Sequence, residues 1–290
     1  MNNFFWLASY PKSGNTWVRA ILSSLFFAKD YNFDFSLFDK ITNFDSYENF
    51  NFIKDKNIKD FNNLQNLSII SKYWTEAQKR LKSKKKYAIY KTHSCNVSID
   101  NFIYADYKES DGLIYIIRDP RDLVISYSKH YRKSLDESIN DMTNQNFTIT
   151  NSTPEKTFHS ILISRWDLHY KTWKNLNVPK ILIRYEDLIY DTKKTISLII
   201  DFFIKNYNFK FNNIESGIDK IIETTSFNKL RNHEKKYGFN EASYFYFKDG
   251  KAEYFFRKGV AGTWKNILSK NQASLIESQF KNTMEEIGYL

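Results

Sequence analysis

Four short apolar runs, at residues 4–8, 87–90, 113–117 and 180–183, each stop abruptly at polar or charged residues. The stops are Ser9-Tyr10-Pro11-Lys12, Lys91-Thr92-His93, Arg118-Asp119 and Arg184-Tyr185-Glu186-Asp187. Apolar runs of this length, bounded by polar signals, fit strands buried on both faces. Between them lie helical patterns at residues 16–28, 119–133, 155–176, 192–205, 215–223 and 273–286. In the first, Val18, Ile21, Leu22 and Leu25 are spaced for one face. The second opens on Asp119-Pro120-Arg121-Asp122, with Asp at the N-cap, Pro at the first helical position and an acid three residues after the cap. Strands alternating with helices predict an α/β fold, a central parallel sheet with helices on both faces. In such sheets a ligand sits beyond the carboxyl ends of the strands, so the four polar stops converge on one crevice.

The stretch Ser9-Tyr10-Pro11-Lys12-Ser13-Gly14-Asn15-Thr16-Trp17 joins the first strand to the first helix. Strand, tight loop and helix start form a P-loop-like phosphate site, because the first N–H groups of a helix lack internal partners and its dipole favours an anion. Lys12 adds a mobile positive charge, and Ser13 and Thr16 add hydroxyl donors. The loop is not a Walker A sequence, in which Lys follows the second Gly and the next hydroxyl binds magnesium. Here Lys12 precedes Gly14 and no earlier Gly exists. Taken alone, the stretch also fits a plain strand-to-helix turn with a solvated lysine.

At 290 residues, the chain is long enough for one large α/β domain or two small ones. No internal repeat or clear boundary is visible, so a single domain over residues 1–290 is expected. An apolar fraction of 42% with 25 Phe and 20 Tyr excludes a disordered chain. The single cysteine, Cys95, excludes an internal disulfide and a cysteine metal cluster, and fits a reducing compartment. No apolar run reaches membrane-spanning length and the N-terminus lacks a signal-peptide pattern, so a soluble, cytoplasmic protein is expected. The net charge of +10 suits an anionic ligand, an acidic partner or simply a lysine-rich surface. It is spread along the chain among acids, without the basic stripe and interleaved aromatics of a nucleic-acid binder, so no nucleic-acid partner is expected. Residues 33–86 show weak periodicity; Lys82-Ser83-Lys84-Lys85-Lys86 reads as a solvated turn and residues 140–154 as a polar loop over the site.

Four separated motifs together resemble the sulfotransferases that use 3′-phosphoadenosine 5′-phosphosulfate (PAPS), closest in layout to the cytosolic type. Tyr10-Pro11-Lys12-Ser13-Gly14-Asn15-Thr16-Trp17 resembles their loop for the donor's 5′-phosphosulfate. Lys91-Thr92-His93 resembles the strand end bearing the catalytic base. Ile117-Arg118-Asp119-Pro120-Arg121-Asp122 with Ser126 resembles the 3′-phosphate site. Arg257-Lys258-Gly259-Val260-Ala261-Gly262-Thr263-Trp264-Lys265-Asn266 resembles the C-terminal loop that closes over the nucleotide. The motifs span nearly the whole chain, in order and at family spacing.

The resemblance implies sulfuryl transfer from PAPS to an acceptor hydroxyl or amine without a metal ion. A sulfate monoester carries one charge fewer than a phosphate monoester, so lysines and backbone amides suffice. Lys12 would stabilise charge on the leaving nucleotide, Lys91 would hold a sulfuryl oxygen, and His93 would take the acceptor's proton. The plain alternative for His93 is a hydrogen-bonded strand-end histidine. Arg118 and Ser126 would bind the 3′-phosphate, with Ser126 also restraining Lys12; the alternatives are a salt bridge to Asp119 or Asp122 and an inert helix hydroxyl. Arg257, Lys258 and Gly259 would reach the same phosphate, or form an exposed basic turn. Trp17, Tyr185, Thr225 and Phe227 match positions around the adenine, though in so aromatic a chain Tyr185 and Phe227 equally fit core packing. His130, late in a helix where a cation suits the dipole, is read as structural or surface. So are His159 and His169, both within the 155–176 pattern, and His233.

Two departures stand out. Thr263 occupies a position that is commonly acidic in the family, and the short dimerisation signature after this loop is not matched, which leaves the oligomeric state open. The rival readings are a kinase-like phosphoryl transferase, disfavoured by the reversed Lys-Gly order, a basic polyanion-binding protein, and a family member that binds nucleotide without transfer. The acceptor stays open, its pocket expected from residues 33–86, 140–154 and 243–256.

Overall fold

The four apolar runs pair as one parallel sheet: β1 (Asn3–Ser9), β2 (Tyr87–Thr92), β3 (Gly112–Ile117) and β4 (Lys180–Arg184), in the order β2-β1-β3-β4. This arrangement comes from a computed structural model that describes residues 2–150, 158–239, 241, 247–248, 251–252, 254–257 and 259–290. Trp6 pairs with Tyr90 on one side and Leu113 on the other, and Ile117 pairs with Arg184. β1 is central, and Phe4 through Ser9 are fully buried, as a parallel strand covered on both faces requires. Strand order reverses between β1 and β3, so the crevice for a ligand opens beyond the carboxyl ends of those two strands.

The described chain divides into two compact units. The first, Met1–Asn15, Ile41–Tyr185 and Gly262–Leu290, holds the sheet. It is flanked by α2 (Trp74–Lys84), α3 (Pro120–Tyr131), α4 (Leu135–Thr143), α5 (Trp166–Lys174) and α9 (Lys270–Ile287). Its core is aromatic. Trp6 packs edge-on against Phe4 and Phe44 and lies near Tyr104 and Trp173, while its indole N–H donates to Ser110 Oγ (2.8 Å). The second unit, Thr16–Lys40 and Glu186–Ala261, contains the body of α1 (Asn15–Phe27), α6 (Thr192–Tyr207), α7 (Ile214–Thr225) and α8 (Phe227–Tyr237). Ala20, Phe33, Phe38, Leu230 and Phe256 form a cluster there, with Trp17, Phe227 and Phe239 packed against it. Among the described residues no helix is long and apolar enough to cross a membrane.

Three sequence expectations change. Lys82 and Lys84 belong to the last turn of α2 rather than to a solvated turn, and Lys82 pairs with Asp111 (2.8 Å). Residues 140–143 complete α4 instead of looping, and Thr148–Ile149 pairs with Ile161–Leu162; residues 151–157 of the expected loop and helix lie outside the described residues. The helix expected over 155–176 is confined to Trp166–Lys174. Upstream, the backbone bonds elsewhere: His159 N–H donates to Asp45 O, Ile163 N–H to Phe147 O, and Ser164 is left-handed at φ 62°. His159 is therefore buried in a non-helical segment, whereas His169 is helical.

Candidate active site

The loop after β1 is shaped by two residues in the left-handed region, Lys12 (φ 70°) and Gly14 (φ 103°). Gly14 is required twice over: a Cβ there would lie 2.5 Å from the Tyr185 ring, and its φ is one that L side chains rarely adopt. Asn15 ties the start of α1 back to β1, its amide donating to Leu7 O (3.3 Å) and Ser9 Oγ (3.2 Å). Ser13 is fully buried and its Oγ has no hydrogen-bond partner among the described residues. A buried hydroxyl left unpartnered beside the orphan N–H groups of a helix start is a fitting place for anionic oxygens.

Arg118 follows β3 directly. Its Nη1 donates to Lys12 O (3.3 Å) and its guanidinium lies 4.3 Å from the centre of the Tyr185 ring. Tyr185, at the end of β4, is buried between Arg118 and Gly14. The ends of β1, β3 and β4 thus meet at the point where strand order reverses. Ser126 sits two turns into α3 and is nearly buried. Asp119 caps that helix by accepting from Arg121 N–H (2.9 Å), and Pro120 takes the first helical position, as expected.

Asp122 anchors the C-terminal loop, a role the sequence did not disclose. This buried carboxylate accepts from Gly262 N–H, from Thr263 Oγ1 (2.9 Å) and from Trp264 N–H (2.9 Å). The Trp264 ring lies 4.0 Å from the Arg121 guanidinium, which pairs with Asp119 (2.7 Å) and Glu277 (2.6 Å). The unusual Thr263 therefore serves as a hydroxyl donor, where an acid would set a second carboxylate against Asp122.

His93 lies one residue beyond β2. Its Nδ1 is 2.8 Å from Ser9 O, and since a carbonyl only accepts, Nδ1 carries the proton. In the neutral ring Nε2 then holds the lone pair. The carbonyl of His93 accepts from His169 Nε2–H (3.1 Å), and His169 Nδ1 accepts from Tyr115 O–H (2.7 Å). Burial pushes His169 down to about 3, so it remains a neutral bracket, consistent with its structural reading. Buried Asp45 accepts from Thr92 Oγ1 (2.9 Å), Ser94 Oγ (3.2 Å) and Tyr104 O–H (2.7 Å), which locks the end of β2. Lys91 is fixed by its backbone, donating to Thr42 O (3.0 Å) and accepting from Phe44 N–H (2.9 Å). It points away from the core face taken by Tyr90 and Thr92.

The second unit holds the remaining candidates. Thr16 and Trp17 open the body of α1, and Trp17 packs on the aromatic cluster. Thr225 ends α7, buried, its hydroxyl donating to Ile221 O (2.7 Å). Phe227 starts α8 with its ring pressed on Gly259 (φ 60°), where a Cβ would lie 2.7 Å away. Arg257 is half-buried, and Lys258 lies outside the described residues. His233 stacks on Phe35 with ring centres 3.5 Å apart, a packing role. Among the described residues no cluster of His, Cys, Asp or Glu is grouped to hold a metal.

A family model for the sulfotransferase domain matches residues 3–288. The chain belongs to the sulfotransferase family. Rat Sulfotransferase 1E1 is 23% identical over 293 residues, covering 97% of this chain and 83% of the relative. Mouse Sulfotransferase 2B1 is 26% identical over 200 residues, covering 67% of this chain and 54% of the relative. Mouse sulfotransferase SULT7A1 complexed with PAP superposes with TM-score 0.58 at 20% identity, covering 98% of this chain and 84% of that one. Retinol dehydratase in complex with androsterone and inactive cofactor PAP gives TM-score 0.60 at 19% identity, covering 97% and 80%. This sulfotransferase therefore shares the fold of both.

Proposed function

We propose that this sulfotransferase moves a sulfuryl group in line from PAPS to an acceptor hydroxyl or amine, with His93 as general base and no metal ion. The observation that carries this reading is the tautomer of His93: Nδ1–H donates to Ser9 O, which leaves Nε2 to accept a proton at the strand end beside the Lys12 loop. The buried, unpartnered Ser13 Oγ and the close Gly14–Tyr185 approach support a phosphosulfate cradle in that loop. When bound, PAPS supplies the sulfuryl group and leaves as the 3′,5′-bisphosphate.

Within that reading Ser13, Gly14, Asn15 and Thr16 bind the phosphosulfate with hydroxyl and backbone donors. Lys12 stabilises charge on the leaving oxygen and Lys91 holds a sulfuryl oxygen. Arg118 offers a planar fork to the 3′-phosphate, joined by Ser126, which also restrains Lys12. On the family resemblance, Arg257, Lys258 and Gly259 take part in binding the 3′-phosphate, and Trp17, Tyr185, Thr225 and Phe227 in binding adenine. The family match runs through both compact units, which supports one sulfotransferase domain over residues 1–290. A cytoplasmic setting belongs to the same proposal; burial pushes the Cys95 thiol up to about 11, so this lone cysteine stays a neutral packing group.

The test is calorimetric binding of 3′,5′-adenosine bisphosphate (PAP) beside 5′-AMP. Much tighter binding of the bisphosphate is expected. Equal binding of the two would remove the phosphate roles of Arg118, Ser126 and Arg257 and overturn the donor assignment.

A further inference from the structure

We propose that His130 is a positioning residue for Lys12, holding its ammonium in place before the nucleotide arrives. This inference rests on reading Lys12 as the residue that meets the leaving group. Lys12 Nζ lies 3.5 Å from His130 Nδ1. An ammonium can only donate, so Nδ1 presents its lone pair and the His130 proton sits on Nε2, the opposite tautomer to His93. A charged imidazole beside that ammonium would be repelled. Reading His130 as a cation matched to the helix dipole therefore does not fit its surroundings.

Both partners are held from behind. The backbone of Lys12 is fixed in the left-handed region, and its carbonyl accepts from Arg118 Nη1 (3.3 Å). His130 is four residues after Ser126, one turn along α3 and on the same face. α3 is capped by Asp119 at its start and by left-handed Arg132 at its end, and it is buried from Pro120 to Ser128. The His130 ring stands edge-on to Tyr131, with centres 4.7 Å apart. A long flexible lysine is thereby aimed by a rigid helix. The gain is preorganisation: fewer Lys12 rotamers remain to be frozen when the transition state forms.

Transfer of labelled sulfate from PAPS is measured with the best acceptor from a panel of phenols, alcohols and amines. His130→Leu is expected to lower kcat about three- to tenfold while leaving PAP affinity and the melting temperature unchanged. His130→Asn, whose side-chain oxygen can replace Nδ1 as acceptor, is expected to restore the rate. In a Lys12→Ala background, His130→Leu is expected to have no further effect. An unchanged rate in His130→Leu, an equal loss in His130→Asn, or a full additional loss on top of Lys12→Ala would each overturn the proposal. The imidazole ¹⁵N spectrum without nucleotide separates this from the donor reading. Lys12→Ala is expected to shift the His130 Nδ1 resonance, with His169 as internal reference; no shift overturns the positioning role whatever the reaction. If the resonance shifts but PAPS supports no transfer and PAP binds no better than 5′-AMP, the donor reading fails while the Lys12–His130 contact stands.

Discussion

At the ends of β1, β2 and β3 the first unit fixes individual polar atoms, whereas residues 41–86 of the same unit supply mainly volume. Gly14, Lys12 and Asn15 are each dictated by a backbone angle or a single donor, and His93 by one carbonyl. Residues 41–86 run through short helical turns such as Tyr47–Phe50, Ile53–Lys56 and Leu67–Ile70. They deliver Phe44, Phe50, Ile53, Leu64, Ile70 and Trp74 to the core, all essentially buried. The strand ends tolerate few residue types because they must meet specific geometry. Apart from Asp45, whose carboxylate locks the end of β2, the filling segment requires only that enough apolar surface arrives at the right depth. Chemistry and stability should therefore separate between the two regions on mutation.

The largest expected effect is at a strand end. His93→Ala should reduce kcat by about 10²- to 10⁴-fold while PAP affinity and thermal stability stay as they were. Normal turnover would break the base assignment. The counterpart in the filling segment is Phe50→Ala, whose ring packs edge-on against Phe44 and His159. It should cost about 3–5 kcal/mol of stability in urea unfolding, with PAP binding retained by the folded fraction. Loss of PAP binding without loss of stability would place this segment's role in the site and dissolve the contrast.

A smaller effect sharpens the comparison from the other side. Gly14→Ala must hold an unfavourable φ and displace the Tyr185 ring, so a loss of about 1–3 kcal/mol of stability is expected together with weaker PAP binding. Wild-type affinity in Gly14→Ala would show that the loop does not need this approach. At neutral pH the smallest effect is that of His169, which vanishes there and grows only as the pH falls. His169 is lowered to about 3 in the fold, so the unfolded chain binds its proton more readily. Its contribution to stability is complete above the unfolded value near 6.5 and is lost as pH falls from there toward 3. His169→Gln should flatten the decline of the urea midpoint over that window, leaving the share of buried His159, which is also lowered. An unchanged slope would remove His169 as the neutral bracket behind His93.

From sequence alone came the alternation of strands and helices, the four strand ends, the Asp119 and Pro120 helix start, and the motifs that mark the family. These signals repeat or close within a few residues, because strand pairing, helix period and capping are set by local backbone geometry. The same local logic overran at residues 155–176. Apolar Ile161 and Ile163 extended an apparent helical pattern, although in the fold Ile161 pairs with Ile149 and Ile163 bonds to Phe147. Only the tertiary structure decided which nitrogen of His93 carries its proton, because Ser9 arrives from the neighbouring strand. It alone brought the Gly262–Trp264 loop to Asp122 and His130 to Lys12, a pair 118 residues apart. Such contacts leave no periodic trace in a chain; they exist because strand order and register bring distant loops to one edge of the sheet.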